Sequence, residues 1–417
     1  MTDFRTLTVV VDVKRGAESS LRTLVDGFGD TIQNDDAVIR FGRSETIHFA
    51  RWVLIDPPAN EPSVPSRLVF SCNHDGPQDA QLKQIIGLAS AALDAIYAMC
   101  EEYPAPGARN DESRLQYLRT HAAPVNSIFI GAPDRTLLQI RDEARLREGI
   151  ESFLDSHDFT GRPARDVVKA IRDFVFNESA LSWAREPAPP RAVTLPQLIL
   201  FCIIALPLVP VVLIWLLILR ICYERVEKPS NLLPSRLDPA LLKILERRED
   251  IYVQNQFSQL MDIKAGQFRL LTLRAVLWTA NFMGHNLFKN GTINSIPSIH
   301  FYSWRIMDGG KRLLFLSNFD GSWQNYLGDF IDKAAFGLNG VLSNCAGFPV
   351  TWFLFLKGVT DVEHYKAWAR NANIPTQAWY TAYPTLDVKN INMNSTIRLG
   401  LLKDMDEQAA ADWLRLF

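Results

Sequence analysis

Arg67-Leu-Val-Phe-Ser-Cys-Asn-His-Asp-Gly76 recurs later in the chain as Arg312-Leu-Leu-Phe-Leu-Ser-Asn-Phe-Asp-Gly321, identical at six of ten positions. The match continues at the same offset of 245 residues, Cys100 with Cys345 and Pro104 with Pro349. Upstream, Ile47-His-Phe-Ala-Arg-Trp52 matches Ile299-His-Phe-Tyr-Ser-Trp304, now offset by 252. Downstream, Pro124, Pro133, Ile140 and Arg147 match Pro375, Pro384, Ile391 and Arg398, all offset by 251. Changes of offset confined to the connections are the mark of an internal structural repeat.

Both copies predict the same order of elements. An opening strand (Leu7 to Val13; Leu270 to Leu277) leads to a helix (Ala17 to Phe28; Thr279 to Phe288). A strand begins at His48 or His300, and another spans Leu68 to Cys72 or Leu313 to Ser317. In the second copy Asp308-Gly309-Gly310 joins these two strands, a strong hairpin signal. A helix then runs to Tyr97 or Leu342, and an apolar strand closes the copy, Val125 to Ile130 or Gln377 to Tyr380. The order βαββαβ predicts an α+β fold of two ferredoxin-like modules. Each sheet has an open face to cover, so two copies in one chain predict face-to-face packing as an α/β barrel. The expected boundaries are 1–150 for the first module, 151–193 for a helical linker, 194–222 for a membrane segment, 223–263 for a second linker and 264–417 for the second module.

The membrane segment rests on composition. No charged residue occurs from Thr194 to Leu219, and Leu198 to Leu219 is apolar throughout. As a straight helix, 22 residues span roughly 33 Å, enough for a hydrocarbon core of about 30 Å. A soluble core helix of that length rarely lacks a polar stripe. Pro207 and Pro210 interrupt the span, leaving two topologies open: one kinked crossing, or a hairpin that dips in and returns. The hairpin must bury its turn, which is costly in lipid, so the segment by itself favours the crossing. Modules packed on each other must share one side of the bilayer, which favours the hairpin or an in-plane element. Arg220, Arg225, Lys228 and Arg236 outnumber Arg185 and Arg191 on the other flank, placing the C-terminal side in the cytoplasm.

Composition excludes several classes. A net charge of −2 gives no basic field for nucleic acid. Five cysteines without a Cys-x-x-Cys spacing fit neither a disulfide framework nor a zinc site. P-loop, Gly-x-Gly-x-x-Gly, His-Glu-x-x-His and Gly-x-Ser-x-Gly motifs do not occur.

The repeated Asn-x-Asp-Gly turn is the best lead to chemistry. Asp75 and Asp320 stand where a strand yields to a helix, which suits an N-cap and equally suits an acid at a sheet edge. His48 and His300 begin the same strand of each copy and, by alternation, share a face with Trp52 and Trp304. Cys100 and Cys345, each ahead of an aromatic-Pro pair, read as buried structural thiols or as thiolate ligands.

Paired ferredoxin-like modules with an Asp-Gly turn after a strand resemble the dimeric α/β-barrel superfamily, which includes dye-decolorising peroxidases and chlorite dismutases. The peroxidases carry Gly-x-x-Asp-Gly, whose Asp is the distal acid above haem. Here the first glycine is replaced, giving Cys72-x-x-Asp75-Gly76 and Ser317-x-x-Asp320-Gly321. The resemblance implies Asp320 and Asp75 as catalytic acids, His364 before His300 as axial ligand, and the isolated Arg398 facing a haem propionate.

Two functions follow as expectations. The first is a membrane-anchored protein that binds or scaffolds at the bilayer surface, on the cytoplasmic face, with lipid or a lipophilic small molecule as partner. The alternative is a haem-dependent oxidoreductase acting on a lipophilic substrate.

Overall fold

The structure, a computed structural model, describes residues 4–34, 36–58, 61–133, 135–186, 203, 206–228, 237–286 and 296–417. Contacts sort the chain into two units, one of Asp3–Pro133 with Thr194–Thr385, the other of Asp134–Val193 with Leu386–Phe417.

The larger unit holds the sheets of both copies of the repeat and is α+β, whereas the matched Ile140, Arg147, Ile391 and Arg398 fall in the smaller unit. Its first strands are β1 (Phe4–Asp12), β2 (Ile47–Ile55), β3 (Arg67–Asp75) and β4 (Ser127–Ile130). The second copy supplies β5 (Gln254–Asp262), β6 (Ile299–Met307), β7 (Arg312–Asp320), a two-stranded hairpin of β8 (Thr351–Trp352) and β9 (Leu356–Lys357), and β10 (Ala378–Thr381). Helices Glu18–Gly29 and Gln78–Tyr97 follow β1 and β3, and helices Gln267–Asn286 and Trp323–Lys333 follow β5 and β7.

The opening strand of the second copy is displaced from its expected place. Leu270 to Leu277 is not a strand but part of the helix Gln267–Asn286, burying Leu270, Leu273 and Leu277 at helical spacing. The strand is the polar run Gln254-Asn-Gln-Phe-Ser-Gln-Leu-Met-Asp262. Its Phe257 and Met261 face a helix-covered core, while Gln254, Gln256 and Ser258 are buried with hydrogen-bond partners of their own. A strand with two buried faces, one of them polar, shows no apolar alternation to read.

Strand pairing also departs from two self-contained modules. One sheet has the order β1-β3-β2-β10 and the other β4-β6-β7-β5. Each copy therefore gives its last strand to the other copy's sheet: β4 runs antiparallel to β6, and β10 antiparallel to β2. Just upstream, each donated strand touches its own copy through one bridge, Val9 to Ala122 and Gln259 to Asn373. Among the described residues these contacts leave two separate four-stranded sheets, not the single closed barrel expected from the repeat.

The sheets face each other. Val53, Ile55 and Val69 of the first meet Met307, Leu314 and Leu316 of the second in one apolar cluster. The outer faces carry separate cores, one around Trp52, Phe70, Leu82 and Ile96, the other around Trp304, Phe315, Tyr326 and Leu342.

The donated strand β4 is followed by Gly131, whose N–H donates to the carbonyl of His300 at 2.7 Å. A Cβ there would lie 1.7 Å from the backbone oxygen of Ile299. Gly131→Ala is expected to destabilise the fold by about 1–3 kcal/mol through overpacking, measured by urea denaturation. Its counterpart Ala382, bonded to the carbonyl of His48 at 2.9 Å, already carries a Cβ.

The smaller unit is helical. Leu137–Asp155, Ala164–Asn177, Val388–Leu401 and Glu407–Leu414 close around Leu146, Ile171, Ile397 and Trp413.

The apolar segment is described from Leu206, together with Ile203; residues 194–202, 204 and 205 lie outside the described residues. Leu206–Glu224 is one helix, 19 residues long with mean hydropathy 2.3, long and apolar enough to cross a membrane. A core helix would be buried, but here Leu206, Val211, Leu213 and Ile214 are all more than half exposed.

Candidate functional site

The repeated turn does something other than cap helices. The helix Gln78–Tyr97 begins at Pro77 with no side-chain cap, and Ser322, not Asp320, caps Trp323–Lys333. Asp75 and Asp320 instead each meet the matched histidine of their own copy. His48 Nε2 lies 3.0 Å from Asp75 Oδ1, and His300 Nε2 lies 2.6 Å from Asp320 Oδ1. Both histidines are 1% exposed, so each imidazole–carboxylate pair is dry enough to fix the ring's orientation.

A β-bulge positions each histidine. The β2–β3 register slips between Ile47 and Phe49, and the β6–β7 register slips between Ile299 and Phe301. Each His is the extra residue, and a bulge re-aims the side chain it carries. Hence the expected shared face with tryptophan is lost. His48 packs against Phe301 and Tyr383, whereas Trp52 packs against Phe41 and Phe70. His300 likewise meets Phe49 and Tyr383, while Trp304 stacks on Phe315.

Phe49, Phe301 and Tyr383 thus join the two pairs into one cluster at the same end of the facing sheets. Tyr383 Oη lies 3.1 Å from His48 Nδ1, making a Tyr–His–Asp chain through which a proton can be relayed. The site is asymmetric here, since the matched residue of the first copy is Ala132.

The motif's asparagines tie the sheets together. Asn318 Nδ2 donates to Asn73 Oδ1 at 3.0 Å, and Asn318 Oδ1 accepts from Trp379 Nε1 at 2.9 Å. Arg51, from β2, crosses to the second sheet and donates to the carbonyls of Phe257 and Ser317, to Ser258 Oγ and to Asn318 Oδ1. These acceptors are all neutral, and burial pulls the guanidinium down to about 9. The glycines that close the motif, Gly76 and Gly321, have φ of 80° and 76°, a left-handed turn that disfavours other residues. Sequence reasoning missed Arg51 and Tyr383, because neither is matched across the repeat. It found both His and both Asp but not their pairing.

The residues do not fit a haem in the expected way. Asp320 and His300 are in hydrogen-bond contact, so no macrocycle lies between them. Both ring nitrogens of His48 are engaged. His364 sits on the helix Val362–Asn371, its Nδ1 held by Asp361 at 2.8 Å one turn away. Arg398 belongs to the other unit, paired with Glu143 at 3.4 Å and stacked over Trp183. Cys100 and Cys345 are buried, and burial pushes each thiol up to about 12, away from the thiolate a metal needs. Among the described residues no group of three or more His, Cys, Asp or Glu side chains could hold a metal ion.

Compared with known proteins, the chain matches no family model, no curated protein and no solved structure.

Proposed function

We propose that this chain is a membrane-anchored binding protein whose two ferredoxin-like modules, paired sheet to sheet, stand together on the cytoplasmic face of a bilayer. Its partners are membrane lipid and a lipophilic small molecule. The observation that carries this reading is the helix Leu206–Glu224, uncharged as far as Leu219 and exposed along most of its length. Exposed apolar surface of that extent is costly in water and marks a surface built to be covered.

Strand exchange bears on how the segment meets the bilayer. The chain leaves the second sheet at β4 and returns to it at β5, so the stretch between them begins and ends on one side. Its net number of crossings is therefore even. The uncharged run from Thr194 to Leu219 has 26 residues, whereas two helical crossings need about 40. We read the segment accordingly as re-entrant or as an element lying in the plane of the bilayer. Pro207 and Pro210 stand in the first turns of the helix Leu206–Glu224, where a missing N–H is least costly.

Flotation of the full chain on neutral liposomes, followed by alkaline carbonate extraction, tests the reading. The wild type should float and resist extraction, and a variant lacking Leu206 to Ile218 should stay in the soluble fraction, its far-UV circular dichroism lowered only by the helical turns removed. A folded deletion variant that still floats would overturn it.

A further inference from the structure

At the end of the sheets away from the His–Asp pairs lies a cavity of about 390 Å³. Arg67, Arg274, Arg305, Asn126 and Asp308 line it, together with Gly309 and Gly310. Arg67, Arg274, Arg305 and the adjoining Arg312 stand against Asp308 and Asp12, which leaves an excess of two positive charges. Both carboxylates are already engaged, Asp308 with Arg67 and Arg312 and Asp12 with Arg67.

The other two arginines have capacity left. Arg305 spends Nη1 on the carbonyl of Pro124 at 2.7 Å, and its Nε is buried with no partner among the described residues. Burial, with Arg67 close by, pulls Arg305 down to about 10, as expected of cations gathered without enough anion. Arg274 comes from the helix Gln267–Asn286, exposed, and makes no ion pair among the described residues. Guanidinium forks match the oxygens of phosphate in pairs, and a monocarboxylate would neutralise only half of the excess charge.

We infer that this cleft binds a phosphate group through Arg274, Arg305 and Arg67. The ligand is a phosphate monoester or a lipid headgroup that ends in one. This deepens the binding role proposed above and rests on it only for the lipid source. Gly309 and Gly310 line the cleft without a side chain to obstruct the phosphate.

The test uses the full chain in a neutral detergent, titrated calorimetrically with inorganic phosphate and pyrophosphate. A second arm measures its affinity for phosphatidylcholine nanodiscs with and without phosphatidic acid. Arg274→Gln and Arg305→Gln should each weaken binding by about tenfold, with affinity falling as salt rises. Arg43→Gln, in a different surface cavity, should leave it unchanged. Binding of the soluble anions identifies a free phosphate, and a response to phosphatidic acid alone identifies a headgroup; either supports the site. Absence of binding in both arms, or binding unaffected by Arg274→Gln, overturns it. Arg274 is exposed, so its loss does not endanger folding. Failure here with membrane flotation intact would sink the cleft and spare the anchor, and the converse result would do the reverse.

Discussion

Replacing Glu224 with Ala is expected to cost roughly 3–5 kcal/mol, because it strands several buried donors at once. The Glu224 side chain is fully buried at the C-terminal end of the apolar helix. Its carboxylate accepts from Thr351 Oγ1 at 2.9 Å, the Phe353 amide at 2.8 Å and the Leu354 amide at 2.7 Å. Phe353 and Leu354 have φ of 48° and 70°, a left-handed conformation costing about 1–3 kcal/mol each that persists only when neighbours hold it. Glu224 is that neighbour. Arg220 stacks over Trp352 of the same hairpin, and Glu227 bonds both Lys264 and Arg269. Together they clamp the apolar helix to the second module. Hydrogen exchange across 351–357 should rise by orders of magnitude in Glu224→Ala and less in Glu224→Gln, which keeps one acceptor oxygen. Unchanged exchange in the alanine variant would show that the hairpin holds itself.

This clamp was invisible in the sequence, and the reason is instructive. Charge patterning shows Glu224 and Glu227 as flanking residues of a membrane segment, where charges are ordinarily solvated. Glu224 is buried by the hairpin of β8 and β9, two short strands more than a hundred residues away, and Glu227 is held by Lys264 and Arg269. The repeat, by contrast, was legible down to particular residues. Matched runs located β3 and β7, and the matched Ile-His-Phe runs located β2 and β6. His48, Asp75, His300 and Asp320 stood out as retained residues, though not as pairs. What alternation could not show was the bulge, since one extra residue turns the side chain to the other face.

Strand exchange was illegible for a different reason. Ser127-Ile-Phe-Ile130 and Ala378-Trp-Tyr-Thr381 are ordinary strand sequences that name no partner. The choice is made by what lies between the sheets. A wholly apolar interlayer would let two similar sheets slide. Here Arg51, Asn73, Asn318 and the two His–Asp pairs each accept one register, and a misplaced polar group would be left unsatisfied at about 1–3 kcal/mol. We propose that this buried network specifies the pairing of the halves, at some expense of stability. On that view the asymmetry matters. Arg51 is matched by Ser303 and Tyr383 by Ala132, so the two halves complement each other and neither is suited to pair with its own copy.

His74 gives the largest expected dependence on pH. It occupies the motif position that is Phe319 in the second copy. Its side chain is fully buried on the core side of β3, Nδ1 against the carbonyl of Asp75 at 3.2 Å and Nε2 without a partner among the described residues. Burial pulls the imidazole down to about 4 from the usual 6.5. The unfolded chain therefore binds a proton between those two values that the folded chain refuses. Stability rises with pH across that window and is lost as pH falls from 6.5 towards 4, by about 3 kcal/mol in total. Above 6.5 both states are neutral and the residue is silent. His74→Phe, which installs the second copy's own side chain, is expected to change stability little at pH 7.5 and to flatten the dependence between pH 6.5 and 4. Urea denaturation of the two proteins at pH 7.5, 6, 5 and 4 reads this directly as a difference, in which carboxylates common to both cancel. Parallel curves for wild type and variant would mean that the imidazole is protonated in the folded chain.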